Sequence, residues 1–129
     1  MPAVVDSFDY ALIRVVPRVE RGELVNVGAI VACATQRFLA AKILLEPSRL
    51  IALDPTIDID EIEGALATIP LIAAGDPKGG PISALPRGER FHWLVAPRSA
   101  VIQTSPVHTG ICSDPATALA ELIAKLVRI

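Results

Sequence analysis

Aromatic side chains are scarce in this chain, with one Trp, one Tyr and three Phe making up 4% of its 129 residues. Proteins that hold single-stranded nucleic acid stack bases on exposed rings along a basic groove, and that platform is missing here. So is the positive charge, because twelve Lys and Arg stand against fourteen Asp and Glu for a net charge of −2. Affinity for a phosphate backbone needs clustered excess cations, so no nucleic-acid partner is expected. Cysteine is rarer still. Cys33 and Cys112 lie far apart without CxxC spacing or a ligand-spaced His, which argues against a zinc site. No basic stretch followed by an apolar core opens the sequence, so the chain reads as unexported and cytoplasmic, with reduced, buried thiols. Apolar runs such as VGAIVACA at 27–34 fall short of the roughly 18 residues that span a bilayer, and no membrane partner is expected. The common catalytic and cofactor signatures are absent as well: GxSxG, HExxH, a Walker lysine loop, and GxGxxG after a strand. The reading therefore leans away from an enzyme and includes no cofactor, while an enzyme of unfamiliar type stays open.

What the sequence does have is an aliphatic core. Hydrophobic residues make up 52% and charged residues 20%, a globular balance, and the length suits one domain over 1–129 that buries about two-thirds of its unfolded surface. FDYALIRVV at 8–16 alternates as a strand, with Ala11, Ile13 and Val15 on one face and Tyr10, Leu12 and Arg14 on the other. ELVNVGAIVAC at 23–33 is a second strand, with Val25, Val27, Ala29 and Val31 sharing a face. Gly28 opposite them suggests a bulge or a close backbone approach. RFLAAKILL at 37–45 is a third, and the short links imply an antiparallel meander. Residues 47–57 read as punctuation. The spacing of Ile59, Ile62, Leu66 and Ile69 predicts a helix opened by Asp58, with Pro70 ending or kinking it. The Pro- and Gly-rich stretch 76–89 reads as mobile, either a connector or a flap. RFHWLVAP at 90–97 alternates as a fourth strand and 100–105 as a fifth. Asp114, Pro115 and the stripe Leu119, Leu122, Ile123, Leu126 and Val127 write a final helix. The fold class is α+β, an antiparallel sheet of about five strands in the order β-β-β-α-β-β-α, with helices packed on one face.

Hydrogen-bonding chemistry gathers in the window 90–110, RFHWLVAPRSAVIQTSPVHTG. Arg98 and Ser99 sit at a predicted turn, Gln103, Thr104, Ser105, His108 and Thr109 follow, and Gly110 is free to turn. Arg with hydroxyls and free amides can cradle a phosphate or carboxylate, and His108 is the better proton carrier of the two His residues. The bland alternative is that Ser and Thr satisfy turn backbone. A second polar group is Arg14, Arg18, Glu20 and Asn26 near the first hairpin. Arg14 lies mid-strand among apolar residues, so if buried it needs a partner, and Glu20 or Asn26 across the hairpin is within reach.

The runs YALIRVVPRVERGELVNVGAIV, RFHWLVAPRSAVIQTSPVHTG and DPATALAELIAKL also resemble the bacterial "domain of unknown function 3037" family over about residues 8 to 127. The resemblance carries no established activity. It implies a small stand-alone bacterial protein, and because some members are encoded beside a HipA-like kinase-fold protein, it suggests such a protein as a partner. The matching positions are Tyr10, Arg14, Pro17, Glu20, Asn26, Gly28, Arg98, Ser99, Gln103, Ser105, Pro106, His108 and Gly110. Two readings follow. One is a non-enzymatic protein-binding or accessory module that uses the sheet edge and the 98–110 loop. The other is a domain or unfamiliar enzyme for an anionic small molecule, held by Arg98, Arg14, Ser99, Thr104 and Thr109, with His108 moving a proton.

Overall fold

The computed structural model describes residues 5–98 and 100–128. Its centre is β1 (Asp6–Val15), paired on one side with β2 (Val25–Cys33), which in turn pairs with β3 (Phe38–Ile43). On its other side, two short strands share the length of β1. β4 (Ile102–Thr104) pairs with Ile13 to Val15, and β5 (His108–Cys112) pairs with Asp6 to Tyr10. Every pairing is antiparallel, so the α+β class and the five-stranded antiparallel sheet hold.

The helices are α1 (Pro47–Leu53), α2 (Ile59–Ala74), α3 (Arg87–Leu94) and α4 (Pro115–Leu122), the last continuing into a wider π-type turn at Ile123–Val127. They cover both faces of the sheet, not one. On the inner face, Ile13, Val15, Val25, Val27, Ile30 and Leu39 pack against Leu50 of α1, Leu66 and Ile72 of α2, and Phe91 and Leu94 of α3. On the opposite face, Phe8, Leu12, Ala29, Val31 and Cys33 pack against Ala118, Leu119, Ile123 and Val127.

A β-bulge makes this two-sided burial possible. Ile13 pairs with Gly28 and Arg14 with Asn26, leaving Val27 as an extra residue in β2. An added residue reverses the alternation beyond it. Val25 and Val27 therefore join the inner core while Ala29 and Val31 serve the other, where simple alternation would group all four. Gly28 answers both expectations at once, since a Cβ there would overlap the Lys42 carbonyl.

Other expectations give way for local reasons. Residues 90–94 are helical because helical spacing buries Phe91 and Leu94 together against the inner core. A strand would have buried Trp93 beside Phe91, and Trp93 is 40% exposed. Pro47 starts α1 at a position where its missing N–H costs nothing, and α1 buries Leu50 completely. Helix α2 runs through Pro70, held by buried Ile72 and Ala73 beyond it, and stops at Gly75 in a Schellman motif: Gly75 N–H to Ile72 O at 3.1 Å and Asp76 N–H to Leu71 O at 2.9 Å. The 76–89 stretch forms two packed 3₁₀ turns with Ser83 buried. Arg90 ties it down through the carbonyls of Leu85 at 2.7 Å and Ala73 at 3.4 Å. The fifth strand is 108–112, in part of the window read as a loop, and residues 102–104 are the fourth. Among the described residues no helix is long and apolar enough to cross a membrane.

Candidate functional site

A helix about 10 Å across covers roughly two strands spaced near 4.8 Å. Helix α4 and its π turn lie over β2 and β3. Phe8 and Leu12 of β1 are still buried against them, while Tyr10 and Arg14 of β1, Gln103 of β4 and His108 and Cys112 of β5 are only half-buried or exposed, and we call this side the open face.

Four of the residues singled out by sequence lie on this face: Arg14, Asn26 and Gln103 as neighbours, and His108 further along beside β1. The register sets Arg14 beside Gln103 on one side and Asn26 on the other, and sets Tyr10 opposite His108. Arg14 Nε donates to Asn26 Oδ1 at 3.3 Å, and Asn26 Nδ2 donates to the Leu126 carbonyl at 3.2 Å. Gln103 Nε2 donates to the Ala100 carbonyl at 2.7 Å. The guanidinium of half-buried Arg14 is thus oriented through Nε, and among the described residues no carboxylate pairs with it. Beyond Leu12 the floor turns aromatic. The rings of Tyr10 and His108 stand 5.4 Å apart and those of Phe8 and Tyr10 5.8 Å apart. The Phe8 ring lies over Gly110, where a Cβ would come within 2.7 Å of it. A groove of about 380 Å³ continues this floor between β5 and α4, lined by Phe8, Cys112, Ala118 and Leu122 with Glu121 and Lys125 on its wall.

The remaining candidates are dispersed. Arg98 lies at the far end of α3, where its guanidinium covers the Trp93 ring at 4.5 Å and donates to the Trp93 carbonyl at 2.7 Å. It satisfies a helix C-terminus and makes no hydrogen bond to Arg14, Asn26 or Gln103. Thr104 and Thr109 take the inner-face side of the sheet by register, and Thr109 Oγ1 donates to Asp9 Oδ1 at 3.0 Å. Ser105 is buried between β4 and β5. Its hydroxyl accepts from Leu12 N–H at 2.8 Å and donates to the Pro106 carbonyl at 2.9 Å, while its own N–H reaches the Leu12 carbonyl at 2.8 Å. A side chain here replaces a ladder carbonyl and lets the edge strand jog. Glu20 is exposed in a 3₁₀ turn and makes no ion pair with Arg14, so Asn26 is the partner found. Ser99 lies outside the described residues. Tyr10 is the functional candidate that the site reading left out, although its shared parity with Arg14 on the first strand was a usable signal.

The chemistry on offer is recognition. Partial burial, with Cys33, Asp6 and Asp114 nearby, pushes the Cys112 thiol up, the reverse of an activated thiolate. Cys33 is fully buried. The lowered carboxyls have structural causes: the Thr56 hydroxyl and amide hold Asp54 down with Arg18 adding to them, and the Thr117 hydroxyl with the Ala116 amide holds down Asp114, the cap of α4. Among the described residues no cluster of three or more His, Cys, Asp or Glu could hold a metal ion.

One family model, described as "Protein of unknown function (DUF3037)", matches residues 10–127. No curated protein and no solved structure matches the chain.

Proposed function

The chain belongs to the DUF3037 family of proteins of unknown function, and we propose that it is a protein-binding module whose recognition surface is the half-buried and exposed part of the open face. The observation that carries this reading is Arg14, a half-buried guanidinium held in place by Asn26 with no carboxylate paired to it among the described residues. Charge set in a partly apolar surface is stabilised when a partner supplies the counter-charge and excludes water. Tyr10, His108 and the groove beside α4 add aromatic and apolar area further along the same face, and Tyr and Arg are residue types that dominate interface energetics. The surface suits a protein that presents an acidic side chain. The kinase-fold protein encoded beside some family members is the partner we propose. The alternative, an anionic small molecule in the 98–110 loop, has less support because Arg98 is already engaged by the ring and carbonyl of Trp93.

Co-expression with that kinase-fold protein tests the reading. Wild type is expected to retain it through purification, and an Arg14→Glu variant that still melts cooperatively as a folded protein is expected to lose it. Equal retention by both proteins would overturn the open face as the docking surface. A kinase-fold protein that wild type does not hold would remove that partner.

A further inference from the structure

The two edges of the sheet are built differently. Edge strand β3 carries exposed Lys42 and runs beside α2, and charge and cover are the usual defences of a free edge. Strand β5, His-Thr-Gly-Ile-Cys, has no Lys, Arg, Asp, Glu or Pro. Its Ile111 is 74% exposed, and Val107 just before it is 45% exposed.

The direction of the free backbone groups on β5 follows from β1. Both the N–H and C=O of Leu12 turn toward Ser105, and these groups alternate sides along a strand. Those of Tyr10 and Phe8 therefore turn toward His108 and Gly110, and the N–H and C=O of Thr109 and Ile111 point outward. The side-chain bond from Thr109 to Asp9 agrees, because side chains approach most closely at pairs that do not exchange backbone bonds.

We infer that this edge pairs with the same strand of a second copy, antiparallel, about a twofold axis through Gly110. That register uses all five residues of β5. It sets Thr109 against Ile111 of the second copy, where the outward groups can exchange four backbone hydrogen bonds, and it sets His108 against Cys112. Position 110 has no side chain to obstruct the axis. An edge without fixed charge can meet its own copy, whereas a lysine-bearing edge such as β3 would bring like charges together. The twofold stands normal to the sheet, so both open faces lie on the same side of one ten-stranded sheet. The two α4 helices then flank a trough floored by β1 and β5 of each copy, with Arg14, Tyr10 and His108 present twice. This assembly does not depend on the partner proposed above, because it uses the edge and not the face.

A pairing this narrow is expected to depend on concentration, so sedimentation velocity should be run from ~1 μM to ~1 mM. Wild type should shift from chain mass to twice that mass across the series, and Ile111→Lys should remain at chain mass throughout. Hydrogen exchange supplies the second readout: the Thr109 and Ile111 amides should slow in the wild-type dimer and exchange freely in the variant, while the amides of β2 stay protected in both. A wild type that is monomeric at every concentration would overturn the inference. So would a dimer that survives Ile111→Lys with the Thr109 and Ile111 amides unprotected.

Discussion

The inner face of the sheet lies under three helices, and its residues Ile13, Val15, Val27 and Ile30 are fully buried. The open face has one helix. Under it, Ala29, Val31 and Cys33 are equally buried, while a few ångströms away Arg14 and Tyr10 are only half covered and His108 is exposed. One sheet therefore carries two kinds of surface whose residues alternate along the same strands. Where helices cover the pleat, side chains are aliphatic and stability is the return. Where cover stops, the same strands present an arginine, a tyrosine and a histidine. Side chains that would be costly to bury remain where a partner can use them.

The comparison can be broken by substitution, beginning with the largest expected effect. Leu66→Ala in α2 empties a fully enclosed inner-core site and should cost about 4 kcal/mol, against about 2.5 for Leu119→Ala in α4, where the half-open core can relax. Denaturant titration of both variants decides this, and a larger loss at Leu119 would reverse the ranking of the two cores. Gly28→Ala should cost roughly 3 kcal/mol in the same assay, because the new methyl meets backbone that cannot swing away. Ser105→Ala strands the Leu12 amide and should cost about 2 kcal/mol, with faster exchange at that amide. Arg14→Ala should cost only about 1 kcal/mol, since it breaks one part-buried hydrogen bond and, among the described residues, no ion pair. A loss of roughly 3–5 kcal/mol would instead mark a buried charge pair and take Arg14 out of the recognition surface. The smallest effect is acidic. Asp54 and Asp114 have folded-state values below the ordinary carboxylate range, so the stability they lend is present above that range and is lost as pH falls through their own depressed values. Melting temperatures recorded down the acid limb should fall less for Asp114→Asn than for wild type.

Much of the architecture could be read from local pattern. The three-strand meander, the helix opened by Asp58 and the final helix capped by Asp114 rest on short-range signals: alternation, turn residues and side-chain caps. The segment 90–95 defeated pattern reading because Phe91, Leu94 and Val95 fit helical spacing while Phe91, Trp93 and Val95 fit alternation. Only the neighbouring core decides which set is buried. The candidate site was half legible. Arg14, Asn26, Gln103 and His108 were picked out by type and context; the register makes the first three neighbours and sets His108 on the same face, opposite Tyr10. Arg98 and Ser105 were picked out by the same criteria, yet one closes a helix end and the other mends a strand ladder.

By itself, then, the amino-acid order determined the antiparallel class, the helix starts at Asp58 and Asp114, and the absence of the common catalytic motifs, because each depends on residues within a turn or a strand of one another. Tertiary structure alone decided which face each side chain of β2 serves, since a single inserted residue at Val27 reverses every later position. It also decided that Arg14 meets Asn26 and not Glu20, and that β5 ends the sheet as an uncharged edge. Those outcomes depend on pairing across the sheet, between residues as far apart in sequence as Asp6 and Cys112, and no local pattern encodes them.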